Sequence, residues 1–184
     1  ADPVHRAALF AAVQRFGRLD LLVNNASRLG PSPLPRMRDY PLDQLAGVFE
    51  VDVLAPLALI QLHCPLLVAS AGTIVNITSD AAVEAYEGWG GYGSAKAALD
   101  QLTAVLAVEE PGLSVYAFDP GDMRTEMHQQ AFPGEDISDR PVPESVVPTL
   151  LALVEGRPAS GRYRARDLQV QTNPTDTDTV PGEA

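Results

Sequence analysis

The apolar positions of this chain fall into two spacings. Val4, Ala8, Leu9, Ala12, Val13 and Phe16 recur three and four apart and define one helix face. Asp2 followed by Pro3 supplies a cap and a first-turn proline for that helix, and Gly17 ends it. Helical spacing returns from residue 42 to about 69, where Pro56 and Pro65 predict a break or bend. It returns again through residues 94–106, stopped by Pro111-Gly112, and from Pro143 to about Glu155, with Pro148 disturbing the first turn. Between these lie short, nearly continuous apolar runs at 19–24, 73–78 and 113–118, the pattern of strands buried on both faces of a parallel sheet. Residues 161–165 predict a short last strand. Residues 25–41, with four prolines, read as a loop, 80–91 as a second loop, and 122–142 as a polar, mobile flap. Residues 171–184 are mostly Thr, Asp, Pro and Gly and predict a disordered tail.

Strands alternating with helices imply an α/β domain: a doubly wound parallel sheet with helices on both faces, over residues 1–170. Ligands of such sheets gather at the carboxyl ends of the strands. Three punctuation points share that edge: Asn24-Asn25, Thr78-Ser79 and Pro120-Gly121.

The 13 basic and 24 acidic residues give a net charge of -11, which repels phosphate backbones and argues against nucleic acid as a partner. Cys64 is the only cysteine, so no internal disulfide forms, and a reducing, cytoplasmic setting is expected. His5, His63 and His128 lack metal-ligand spacing; no metal is expected, and each reads as a surface or packing residue. Residues 53–72 are apolar enough to raise the question of a membrane span, but Pro56, Gln61, His63 and Pro65 within them favour a buried helix.

Candidate chemistry sits in Gly90-Gly91-Tyr92-Gly93-Ser94-Ala95-Lys96. Tyr92 and Lys96 are four apart, hence one turn apart on one helix face. An ammonium beside a phenol favours the phenolate and lowers the phenol's pKa from near 10 toward working pH. Tyr86 is the rival, but the residue four beyond it is Gly90.

Together, Asn24-Asn25-Ala26-Ser27, the run 74–79 ending in Thr78-Ser79, Tyr92-Gly-Ser-Ala-Lys96 and Pro120-Gly121-Asp-Met-Arg-Thr125 resemble, in order, the motifs of the short-chain dehydrogenase/reductase family. The resemblance covers roughly residues 2–165. It implies a Rossmann-like fold and an NAD(P)-dependent oxidoreductase that interconverts an alcohol and a carbonyl compound. Tyr92 would be the general acid and base, Lys96 would tune it and hold the nicotinamide ribose, and Ser79 would orient the substrate oxygen. Asn24 and Ala26 would support the cofactor side, with Pro120, Gly121 and Thr125 closing over the nicotinamide. NAD and NADP are both open. A homo-oligomer is expected of the full-length form. Each residue also has a plainer reading: Asn24 as a tie between strands, Ser79 as a cap with Thr78 as its rival, and Pro120-Gly121 as a strand terminator.

Two features depart from that family. Its catalytic Asn on the long middle helix falls at Asp52, whose carboxylate would favour the Lys96 ammonium and oppose ionisation of Tyr92. Asp52 is nonetheless kept among the catalytic candidates. The glycine-rich strand–turn–helix that receives the pyrophosphate is not found. An N-terminally truncated domain is therefore expected, lacking its first strands and helices, roughly two βαβ steps of about 30 residues each. Two other functions compete: a catalytically inactive fragment acting at most as an association module, and a sugar-nucleotide epimerase or dehydratase sharing the Tyr-Lys pair.

Overall fold

The computed structural model describes residues 2–168, so the tail expected over 171–184 lies outside the described residues. Strands β1 (Leu21–Asn24), β2 (Thr73–Ile77), β3 (Ser114–Asp119) and β4 (Gly161–Arg164) pair in parallel in the order β1-β2-β3-β4. Parallel neighbours need crossovers, and helices supply them. Helix α1 (Pro3–Gln14) precedes β1. Helices α2 (Leu42–Phe49) and α3 (Ala55–Ala69) lead to β2, α4 (Gly90–Glu109) leads to β3, and α5 (Glu126–Ala131) and α6 (Val147–Gly156) lead to β4.

Alternation along the strands sends side chains to two cores. Ile74 and Val115 meet Ile60 and Leu67 of α3, with Leu106 of α4 beside them. Val75, Tyr116 and Phe118 point the other way, onto Leu150 and Leu153 of α6. Helices thus cover both faces, as the apolar pattern predicts. The β3–α6–β4 crossover lies on the face opposite the first two while the strand order advances in the same direction, so its hand is opposite to theirs.

Residues 42–69 do not break at Pro56. The helix widens instead into a π turn over Glu50–Leu54, where the Ala55 N–H reaches the Glu50 carbonyl. Pro56 has no N–H and its ring crowds the carbonyl four residues back, that of Asp52; the wider turn relieves both. Pro65 sits inside α3 without ending it. By length and composition Leu42–Ala69 could cross a membrane, but it carries the fully buried Asp52 and packs Ile60 and Leu67 on the sheet.

Three expectations need correction. Strand β1 is not buried on both faces: Leu21 and Val23 are each 38% exposed, because among the described residues β1 pairs on one edge only and no helix covers their face. Helix α1 buries no residue, and Val4 and Phe16 stay open; its packing contact is Phe10, edge-on to His63 of α3 at 5.4 Å. The segment 122–142 is not wholly irregular: Thr125 caps α5, and Ala131 and Ile137 are buried.

Candidate active site

The carboxyl ends of β2 and β3 and the first turn of α4 enclose a cleft of ≈ 250 Å³. Ser27, Ser79, Trp89, Tyr92 and Lys96 line it, together with the segment from Asp119 to Met123 and Thr125. Gly121, at φ 77°, turns the chain after β3, and its N–H is held by the Asp119 carboxylate at 3.0 Å. Two glycines let α4 approach. A Cβ on Gly91 would stand 2.4 Å from the Tyr40 ring, and one on Gly93 2.5 Å from the Ala81 carbonyl oxygen. Tyr92 lies between them.

Tyr92 and Lys96 share a face as their spacing predicts, with the Lys96 Nζ 5.4 Å from the Tyr92 ring centroid. Both are buried, at 9% and 2% exposure. The ammonium donates to the Ile77 carbonyl at 3.0 Å. Burial pulls the Lys96 pKa down, against the opposing pull of Asp52 and Asp100. The expected lowering of the phenol is reversed: burial, and then the Asp52 carboxylate, push the Tyr92 pKa above its ordinary value. The hydroxyls of Ser27 and Ser79, both beside the phenol, work in the other direction.

Asp52 sits in the π turn with no exposed surface. Its Oδ2 accepts from the Ser27 hydroxyl at 2.9 Å and its Oδ1 from the Arg28 N–H at 2.7 Å. Burial is the leading cause that raises its pKa; Lys96 is the largest influence holding it down.

Asn24 is committed to its neighbour strand. Its Nδ2 donates to Asn76 Oδ1 at 2.7 Å, and Asn76 donates on to the Thr103 hydroxyl at 2.9 Å. Asn24 and Ala26 lie at the sheet edge without lining the cleft, whereas Pro120, Gly121 and Thr125 line it. Ser79 caps the short turn Asp80–Ala82, and it lines the same cleft as Tyr92. Thr78 also borders the cleft. Tyr86 is elsewhere, its hydroxyl donating to the carboxylates of Asp80 and Glu84.

Two residues escaped the sequence reading. Ser27 was visible only as the end of a motif; its pairing with Asp52 depends on a fold contact 25 residues away. Arg162 carries no local signal, yet it ties β4 to Asp100 of α4, to Asp119 of β3 and to the Ser79 carbonyl. His128 packs, as one of its two readings has it: it is buried against Phe132 at the cleft wall, with ring centroids 4.9 Å apart.

Residues 2–136 match the family described as short chain dehydrogenase. A benzil reductase, (S)-benzoin forming, of Bacillus subtilis is 37% identical over 112 residues, 58% of this chain and 45% of that protein. Rat sepiapterin reductase is 36% identical over 121 residues, 64% of this chain and 46% of that protein. A Shigella flexneri chain solved in complex with NADP superposes with TM-score 0.82 at 29% identity, covering 90% of this chain and 71% of that one. The chain spans about half the length of the curated relatives it matches.

Proposed function

The chain belongs to the short chain dehydrogenase family, and we propose that it carries the catalytic portion of an NAD(P)-dependent oxidoreductase acting between an alcohol and a carbonyl compound. The observation that supports this most is the convergence of Ser79, Tyr92 and Lys96 on one cleft at the carboxyl edge of the sheet. A phenol held above its ordinary pKa is protonated at neutral pH, so it is set to give its proton to a carbonyl oxygen. Ser79 offers a second hydroxyl beside it, and the buried ammonium stabilises the charge left on the phenol.

The residues fit the nicotinamide end of such a cofactor. An ammonium has three donors, and one of the three on Lys96 goes to Ile77, which leaves two for ribose hydroxyls. Pro120, Gly121 and Thr125 form the facing wall. When bound, the nicotinamide supplies or accepts the hydride. Among the described residues no strand passes directly through a tight glycine-rich turn into a helix; the glycines at 88–93 follow β2 only after a ten-residue loop, and Gly91 and Gly93 hold α4 against Tyr40 and Ala81. NAD and NADP are equally compatible with it.

Trp89, Phe132, Met127 and Leu34 pack with Tyr92 in one apolar cluster, which favours an aryl or apolar ketone as the small-molecule substrate. The benzil reductase among the relatives is consistent with that class. Pairing of two copies through α3 and α4 is part of the proposal, supported by the exposed Val68, Val105 and Val108.

Carbonyl-dependent oxidation of NADH or NADPH, with benzil as the first acceptor, tests the reading. Tyr92→Phe is expected to lower kcat by roughly 10²–10⁴-fold, the worth of a general acid. Turnover at the wild-type rate in that variant would overturn it. The open flank of β1 and the absence of a phosphate turn among the described residues favour a second reading, an association module without turnover. Equilibrium binding of NADPH to the 184-residue chain separates the two: binding in the micromolar range or tighter excludes the silent module.

A further inference from the structure

We infer that His128 determines substrate specificity: its Nε2 binds a second oxygen of the substrate, on the carbon next to the reacting carbonyl. This role rests on the oxidoreductase reading above and narrows its substrate to a vicinal dicarbonyl compound, or the α-hydroxy ketone that reduction of one yields. His128 is 9% exposed and lines the same cleft as Ser79, Tyr92 and Lys96. Among the described residues its Nε2 is closed to water and has no hydrogen-bond partner. Buried polar atoms are nearly always paired, and an unpaired one is costly. Thr78 Oγ1 is the other unpaired atom on the cleft wall, and it has the Asp100 carboxyl to turn to, itself short of a donor. The partner of His128 Nε2 is therefore a group that enters the cleft.

The ring is free for this task. The cap of α5 uses the His128 backbone N–H, which donates to Thr125 Oγ1 at 3.1 Å, so the imidazole does not hold the helix. It lies tilted on Phe132, whose ring meets Trp89 at 6.0 Å, and Trp89 stands edge-on to Tyr92 at 5.8 Å. One aromatic wall thus runs from the phenol to the imidazole, and Nε2 is a polar point within it. Small-molecule sites are mostly apolar, with a few placed polar groups that set orientation. The torsion that turns an imidazole about its Cβ–Cγ bond is broad, so the ring presents Nε2 to a ligand without displacing α5.

The chemistry of the ring selects the ligand. A neutral imidazole has one N–H and one lone pair, and it exchanges them between its two nitrogens. With the proton on Nε2 it donates to a ketone oxygen; in the other tautomer it accepts from a hydroxyl. It therefore suits the dicarbonyl and the hydroxy ketone alike. Asp119 and Asp122 also line the cleft, which disfavours a carboxylate as the second group. The cleft volume of ≈ 250 Å³ is below the roughly 300–1,000 Å³ of small-molecule sites, so a ligand that meets both Tyr92 and His128 is compact, with its two oxygens on neighbouring carbons. No bond to His128 forms or breaks, and Tyr92 remains the acid.

Benzil and deoxybenzoin test this, because they differ by one oxygen on the carbon next to the reacting carbonyl. The first measurement needs no turnover. Trp89 is the only tryptophan of the chain, so its fluorescence reports ligand binding at this wall. The wild-type chain is expected to bind benzil about tenfold more tightly than deoxybenzoin, the worth of one hydrogen bond. His128→Leu should bind the two within about twofold, and His128→Gln, which keeps a donor and an acceptor, should retain most of the preference. Equal binding of the two by wild type, binding of neither, or a preference that persists in His128→Leu would overturn the role. The second measurement is the ratio of kcat/KM for benzil to that for deoxybenzoin. It should fall about tenfold in His128→Leu; the greater reactivity of a dicarbonyl cancels between variants. An equal fall on both compounds would give His128 a packing role only and overturn the proposal. Should His128→Leu fail to fold, the wild-type binding preference and His128→Gln still decide. Absence of turnover in every form, wild type included, would remove the oxidoreductase reading, while the binding preference would still decide the role of His128.

Discussion

Arg162 on β4 donates through one Nη2 to the carbonyl of Ser79 at 2.9 Å and to the Asp119 carboxylate at 3.1 Å, while its Nε holds Asp100 at 3.0 Å. One guanidinium therefore fixes the strand end that presents Ser79, the next strand and the helix that carries Tyr92. The planar fork suits three fixed acceptors in a way a single ammonium cannot. Asp119 is 3% exposed, so its charge has little water to turn to.

Arg162→Met is accordingly expected to cost about 3 kcal/mol of unfolding free energy, the lower end for a broken buried pair because the guanidinium is itself 24% exposed. Urea unfolding measures it. Arg162→Lys should recover part of the stability and little of kcat, since Ser79 would lose its tie. A stability loss under 1 kcal/mol, by roughly the standard of exposed pairs, would show that the network is a surface feature.

Asp52 makes a pH prediction. Burial raises its carboxyl above the ordinary 3.8. From that value upward to its own, the folded chain keeps a proton that the unfolded chain has released. Its contribution to stability is therefore complete below the unfolded value and is lost as pH rises through the folded one. Asp100, also raised chiefly by burial, contributes in the same direction. Asp52→Asn removes the first contribution, so its urea midpoint should decline less steeply with rising pH across this window. Parallel slopes for the two proteins would contradict it.

Much of this site could be read along the chain, for a physical reason. Tyr92 and Lys96 are joined by helix periodicity, and Ser79, Gly121 and Thr125 by their places just after apolar strands; each is a local signal. What stayed hidden depends on solvent and on distance in sequence. The raised phenol follows from burial, which no spacing of Tyr and Lys encodes. The Ser27–Asp52 bond joins a loop to a π turn 25 residues on, and the Arg162 network joins residues up to 83 apart. Helix α1 and strand β1 show the same limit from the other side. Their apolar residues announce an element, while what covers Leu21, Val23 and Phe16 is not encoded in their pattern.

Gly93 makes a packing prediction. Its Cα–H faces the Ala81 carbonyl, and a methyl there would meet backbone that cannot rotate away. The first turn of α4 would have to lift from the turn that Ser79 caps. Gly93→Ala should lose roughly 1–3 kcal/mol as an overpacked contact. It should also lower kcat more than Ala85→Gly, a change in the exposed part of the same loop region, because Tyr92 moves with the turn. Thermal unfolding and kcat on one acceptor check both statements.

Asn24 makes the last prediction, and it separates the two readings of that residue. Its amide donates to Asn76 Oδ1, and Asn76 is 1% exposed. The Thr103 hydroxyl accepts from Asn76 and gives its own proton to the Leu99 carbonyl at 2.7 Å, so the chain of donors has one direction. Asn24→Ala orphans the Asn76 oxygen, at a cost of about 1–3 kcal/mol. Asn24→Asp is worse placed than its size suggests. A carboxylate there faces an oxygen, and turning the Asn76 amide over to meet it would present an oxygen to Thr103, whose proton is already engaged. Both variants should therefore unfold at lower temperature, while the KM for NADH or NADPH stays within about twofold of wild type. A rise in that KM of about tenfold, some 1.4 kcal/mol, with the unfolding temperature retained, would instead give Asn24 a direct hold on the cofactor.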